Sequence, residues 1–333
     1  MAQSKTISVP QAILKQCRHH YDLDPVMTPI AGGFQNAVFT VTQFETPRIL
    51  RLTPARTRAT ENIAAELEFI DYLHQHRLTV AQPILSRDKK LVKGCRTPQE
   101  NWTAVLFTVA PGNKVPYPDY LGNTKLYELF GALTGNMHHL SMSYHPKGKP
   151  RHLWRENFYL NHVSTYIPQS KTGIHEAHKT LMHALESLVL SPDEQGLIHG
   201  DLNVGNMHLD GETLTLFDFD ECQMSAYVED IAIALYYTVY VYGDDDINER
   251  DAMAKTFMKH FLKGYRQYRP MPQEALRHLE LYLKVRELIV HVGIYRRWDF
   301  LALNPWQKDY LTYSERRIEQ GVPIINSQTL ENV

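Results

Sequence analysis

Apolar positions change period several times along the first 110 residues. In QAILKQCRHHYDL, Ile13, Leu14 and Cys17 fall along one side of a predicted helix over residues 11–23. AGGFQNAVFTVTQF and RILRLT carry short β-branched and aromatic runs, predicting two strands joined by a turn around Glu45–Pro47. Thr60 is placed to cap a helix through ENIAAELEFIDYLHQH, where Ile63, Leu67, Ile70 and Leu73 recur at helical spacing. VAQPI and NWTAVLFTV read as further strands, closing a small mixed lobe over residues 1–109. The Pro- and Gly-containing stretch APGNKVPYPDY predicts a connection over residues 110–124. Beyond it, residues 125–333 read as a larger and mainly helical lobe. KLYELFGALTGNMHHL has a broad apolar face, a further helix is expected around 175–190, and residues 227–320 are mostly helical in pattern. The class is therefore α+β in two lobes.

Composition narrows the partners. The chain has 333 residues, 43% hydrophobic and 22% charged, with a net charge of −2. That balance describes a globular protein and leaves no basic excess for nucleic acid or a membrane surface. The start MAQSKTISVP lacks the apolar core of a signal peptide, and IAIALYYTVYVYG from Ile231 is too short to span a bilayer. Cys17, Cys95 and Cys222 are odd in number and far apart, which fits a reducing cytoplasm better than a disulfide framework. The histidine clusters lack the HExxH spacing that sets two metal ligands on one helix face.

The chemistry concentrates in IHGDLNVGNMHLDGETLTLFDFD, residues 198–220. Met207–Leu209 and Thr213–Phe217 flank Asp210-Gly211, a hairpin turn signal, so folding about it sets Asn206 and Asp218 nearly opposite each other. Two oxygen-bearing side chains at that separation suit a hard cation such as Mg²⁺ beside substrate phosphates. Asp201, five residues before Asn206, is placed to accept a proton from an attacking hydroxyl. A plainer reading makes Asp201 and Asn203 turn residues and Asp218 a strand end. It leaves unexplained why carboxylates follow an apolar strand.

H-G-D-x-x-x-x-N followed by a strand and D-F-D resembles the aminoglycoside phosphotransferase and choline kinase family, distant relatives of protein kinases. The resemblance runs from about Pro29 to Arg297. The run DFDECQMSAYVEDIA and the later RRWD look most like its homoserine-kinase-like and stress-response-kinase branch. It implies a bilobal protein-kinase-like fold and an ATP- and Mg²⁺-dependent transfer. Asp201 would then be the base or hydroxyl-orienting group, Asn206 and Asp218 the metal ligands, and Asp230 a brace for the catalytic loop, with His199 packed beneath that loop.

With nucleotide between the lobes, the small lobe should supply a phosphate-binding cation and a carboxylate to hold it. Arg51 stands where protein kinases use Lys, and Glu66 borders the buried stripe of its helix while Glu68 lies about 200° round. The alternative is a surface ion pair worth little. Gly32 and Gly33 would let a loop approach the phosphates, and the resemblance makes Phe107–Val109 the segment that meets adenine. Gly200 replaces the Arg of H-R-D, and only 11 residues separate Asp218 from Asp230, too few for a phosphorylated activation loop.

Asp220 and Glu221 would contact a second cation or a cationic acceptor, or simply be solvated. GDDDINE at 243–249 reads mainly as a solvated loop. Trp154, Tyr236, Tyr237, Tyr295 and Trp298 are either an amine cage or core. The leading expectation is a phosphotransferase acting on a hydroxyl of a small, amine-bearing molecule. A protein Ser or Thr acceptor and a non-catalytic nucleotide-binding scaffold are the alternatives.

Overall fold

A computed structural model describes residues 7–30, 35–241, 247–271 and 273–330. Helix α1 (Gln11–Tyr21) stops where Asp22 takes a left-handed backbone, φ 52°. Strand β1 (Leu23–Ile30) follows, an element the sequence pattern did not predict. Pro25 and Pro29 interrupt its alternation, and they are tolerated because β1 is the sheet edge, where a missing N–H costs no ladder bond. β2 (Ala37–Gln43) and β3 (Thr46–Pro54) form the expected hairpin. Its loop is Phe44-Glu45, both at positive φ, and Pro47 already belongs to β3. Helix α2 (Thr60–Gln75) has Ala59 at its N-cap, and Thr60, the expected cap, instead bonds Thr103 through its hydroxyl at 2.9 Å.

β4 (Pro83–Ile84), β5 (Lys93–Arg96) and β6 (Asn101–Thr108) complete an antiparallel sheet in the order β1-β2-β3-β6-β4, with β5 also on β6. α1 covers one face of this sheet, burying Ile13, Cys17 and Tyr21 against Leu50 and Trp102. The apolar stripe of α2, Ile63, Leu67, Ile70 and Leu73, belongs instead to the core that continues into the larger lobe. The two lobes therefore share one hydrophobic interior through α2.

The larger lobe opens with α3 (Thr124–Ser141), capped by the Asn123 side chain accepting from the Leu126 N–H at 3.0 Å. Short α4 (Phe158–Asn161) and α5 (Val163–Tyr166) lead to α6 (Thr172–Glu186). β7 (Gln195–Ile198) pairs with β10 (Gln223–Ala226), and between them lies the hairpin of β8 (Met207–Asp210) and β9 (Thr213–Leu216). α7 (Tyr227–Val239), α8 (Ile247–Tyr265), α9 (Leu279–Arg297) and α10 (Pro305–Gln320) finish the lobe. α7 is buried almost all round, as its apolar run predicts, and among the described residues no helix is long and apolar enough to cross a membrane.

α3 and α8 approach closely because their contact is lined by glycine. A Cβ on Gly131 would overlap the Phe261 carbonyl, one on Gly135 the Tyr265 carbonyl, and one on Gly264 the Glu128 carbonyl. Backbone cannot yield as a flexible side chain can, so the helices would have to separate. Gly131→Ala should lower unfolding free energy by about 1–3 kcal/mol, measured as a reduced midpoint in urea without a large change in slope.

Candidate active site

The loop after β7 is held from below by one buried carboxylate. Asp230, fully buried on α7, accepts the His199 N–H at 2.8 Å and the Gly200 N–H at 2.9 Å. The His138 ring nitrogen Nε2 meets the same carboxylate at 3.1 Å. His199 packs on Phe219 at 4.6 Å between centroids, accepts the Asp201 N–H on Nδ1 and donates from Nε2 to the Phe217 carbonyl. Burial pushes its pKa down, in keeping with that neutral tautomer. Gly200 sits at φ 78°, and a Cβ there would strike the Glu221 carbonyl. That contact accounts for glycine at the position where protein kinases carry arginine.

Asp201, Asn206 and Asp218 line one cleft between the lobes, of about 740 Å³. The hairpin register differs from the sequence expectation by one residue. Met207 pairs with Leu216 and the Phe217 N–H reaches the Asn206 carbonyl at 3.0 Å, so Asn206 opposes Phe217. Asp218 lies one step beyond, in a left-handed conformation at φ 67° that Asp tolerates better than most residues.

Asn206 donates its amide to the Asp201 carbonyl at 2.9 Å and to Asp201 Oδ2 at 3.0 Å. With both amide hydrogens used there, its oxygen is left as an acceptor. Asp218 is open to the cleft, but the walls around it exclude much of the solvent. That desolvation, followed by the nearby Asp220 charge, pushes its carboxyl up to about 7. An amide oxygen and an under-neutralised carboxylate fit a hard divalent cation, which takes oxygen donors and shares them with phosphate. Among the described residues no cluster of three His, Cys, Asp or Glu side chains forms a closed metal cage. A site that depends on nucleotide oxygens for its remaining donors needs none.

Asp201 has a partner that sequence reasoning missed. Arg286, on α9, donates to Asp201 Oδ1, to the Tyr237 hydroxyl at 2.6 Å and to the Gly200 carbonyl at 3.4 Å. The segment after Asp218 is likewise held by arginines. Arg151 donates to the Asp220 carbonyl at 2.7 Å, the Cys222 carbonyl at 2.6 Å and the Asn62 carbonyl at 2.8 Å. Arg58 lies 3.3 Å from Asp220 Oδ1 and 3.0 Å from Glu221. Asn36 donates to Asp220 at 3.1 Å and Gln35 to Glu221 at 2.5 Å.

Asp220 is buried and Glu221 is only partly exposed. Burial would raise the Asp220 pKa, but Arg58 and Arg51 outweigh it and hold the group ionised. Asp220 and Glu221 border the cleft, and both reach Arg58 of the small lobe.

On the nucleotide side, Arg51 and Glu66 form a bidentate pair at 2.8 and 2.7 Å. Glu66 is wholly buried and Arg51 nearly so, which rules out an exposed pair of little worth. Arg51 also stacks over Phe107 at 5.1 Å and lies 3.9 Å from Asp220. Glu68 points away and accepts the Gly148 N–H. β6 delivers Phe107 and Val109 to the cleft, and the Val109 backbone makes no hydrogen bond among the described residues. The Ala110 carbonyl is taken by His208 at 2.9 Å, tying the connection to the hairpin. Gly32 and Gly33 lie outside the described residues, as does most of the acidic run at 243–249, whose Ile247–Glu249 opens α8.

The aromatic candidates divide. Tyr237 and Trp298 line the cleft, joined by Tyr240 and Trp306, whereas Tyr236 is core and bonds Tyr310 through its hydroxyl. Trp154 packs against the core, and Tyr295 donates to Glu315 away from the cleft.

Comparison with known proteins agrees with this geometry. The model of the phosphotransferase enzyme family, APH, matches residues 26–271. Amicoumacin kinase of Bacillus subtilis (strain 168) is 29% identical over 326 residues, 96% of this chain and 95% of that protein. The solved structure of amicoumacin kinase hAmiN in complex with AMP-PNP, Ca²⁺ and Ami is 30% identical and superposes with a TM-score of 0.87, covering 96% of this chain and 95% of that one. A microcompartment-associated aminopropanol kinase shares the fold, with a TM-score of 0.71 at 21% identity over 93% of this chain and 97% of its own. The chain therefore belongs to the phosphotransferase enzyme family, and it is an ATP-using kinase of small-molecule hydroxyls.

Proposed function

We propose that this kinase uses Mg²⁺-ATP to phosphorylate a hydroxyl on an amine-bearing acceptor of the amicoumacin type. The carrying observation is the arrangement at Asp201, whose carboxylate faces the cleft while Arg286 and Asn206 hold it in place. Phosphoryl transfer has a loose transition state, so it asks mainly for positioning and charge neutralisation. Asp201 orients the acceptor hydroxyl toward the γ-phosphorus. The new oxygen–phosphorus bond forms as the bond to the β,γ-bridging oxygen breaks, ADP leaves with that electron pair, and the hydroxyl proton passes to Asp201.

Asn206 and Asp218 would hold the metal, which neutralises charge on the phosphates. Arg51, fixed by Glu66, would bind phosphate as a rigid fork, and the free Val109 backbone would take the adenine edge. Tyr237, Tyr240, Trp298 and Trp306 offer the acceptor side a broad aromatic wall, and Glu221 lines the same cleft. Such a wall suits an acceptor with a flat apolar part and a cationic amine. The named relatives act on small molecules, which favours this over a protein acceptor.

Transfer of label from γ-labelled ATP should be assayed across amicoumacin, aminopropanol, homoserine, choline, an aminoglycoside and a Ser/Thr protein. Label is expected on amicoumacin, and label on another acceptor alone would reject the acceptor assignment. Asp201→Asn should keep ATP affinity while transfer falls by about 10²–10⁴. Unchanged transfer in that variant removes Asp201 from the reaction. Wild type should bind ATP more tightly with Mg²⁺ than without in a thermal-shift titration, and Asp218→Ala should erase that difference. Arg51→Ala should raise the Michaelis constant for ATP, and an unaltered value rejects its phosphate role.

A further inference from the structure

A second cavity, of about 330 Å³, lies in the larger lobe and shares no lining residue with the cleft. Its walls are largely apolar, with Met142, Leu190, Val228 and Met271 among them. One wall is Arg269, more than nine-tenths buried. Its guanidinium lies 4.1 Å over the Tyr227 ring and donates to the Tyr265 hydroxyl at 3.3 Å, and no carboxylate among the described residues pairs with it. Of the two carboxylates on the cavity wall, Glu194 pairs with Arg277 and neither reaches ion-pair distance of Arg269, so a ligand carboxylate would give the buried guanidinium a direct partner. Asp193 and Glu194 also line the cavity and oppose the doubled charge of a phosphate.

From Arg269 a line of hydrogen bonds leads to the catalytic loop. Tyr265, accepting from Arg269, meets His138 Nδ1 at 2.9 Å, and His138 Nε2 meets Asp230 at 3.1 Å. Asp230 in turn holds the His199 and Gly200 N–H groups. We propose that this cavity binds a small aliphatic monocarboxylate, with its carboxylate on Arg269 and its chain among Met142, Leu190 and Met271. Occupancy acts on residues 198–206 through the Tyr265–His138–Asp230 line.

The test uses the full chain and two isosteric probes, 4-methylpentanoate and its amide. Calorimetry should show saturable binding of the carboxylate, with the amide at least about tenfold weaker. Arg269→Gln should weaken carboxylate binding by a similar factor. Leu190→Trp, which fills the cavity without touching the guanidinium, should abolish binding even if the Arg269 variant fails to fold. Hydrogen exchange of residues 198–206 should slow on adding 4-methylpentanoate. Tyr265→Phe should keep the binding and lose that protection. Absence of saturable binding, equal affinity for the amide, or full affinity in Leu190→Trp overturns the site. Binding that leaves exchange at 198–206 unchanged overturns the coupling.

Discussion

The catalytic half of the molecule depends on how the Asp230 carboxylate is satisfied. It is fully buried and is held by two backbone N–H groups and one imidazole, with no cation in contact. A polar group buried so completely is tolerable only while its hydrogen bonds are all made. Any shift of the loop carrying His199 and Gly200 would strand it. The energetic penalty for loop movement is what fixes Asp201 over the cleft, and Gly200 permits the fit because its backbone alone can turn beneath the Glu221 carbonyl.

Charge elsewhere in the cleft follows a division of labour. Asp220 lies beside Arg58 and Arg51, Glu221 shares Arg58, and Arg151 grips the backbone around them, so this stretch works as a joint between lobes. Arg151 bonds both the Asn62 carbonyl of the small lobe and the Asp220 carbonyl of the large one. A segment fixed by so many charge-assisted bonds has no freedom to act as a phosphorylation-controlled loop. Asp218, by contrast, is desolvated by the cleft walls and lies close to Asp220, and both push its pKa upward. Asp218 shares the cleft with Asn206, where a bound cation would offset its charge.

Asp201 is placed differently again. Arg286 and Asn206 each occupy one of its oxygens, so in the proposed reaction it would align a hydroxyl rather than strip its proton early. That matches a loose transition state, where the hydroxyl becomes acidic only as the new bond forms. The ion pair crosses 85 residues of chain, and nothing near either residue announces it.

Several features were legible in the residues alone. Helical spacing marked α2 and put Glu66 on its buried side, the turn signal marked the β8–β9 hairpin, and H-G-D-x-x-x-x-N with D-F-D named the family. Each is written in local pattern, because periodicity and loop chemistry act over a few residues. The sequence left open what depends on distant segments meeting. β1 carries no alternation and forms because an edge was available beside β2. The one-residue register of Asn206 against Phe217 was decided by the whole hairpin. No local pattern marks Arg58, Arg151 and Arg286, whose partners lie far away along the chain. Burial turns such a charge from solvated to partner-seeking, and burial is a property of the assembled tertiary structure rather than of any stretch of chain.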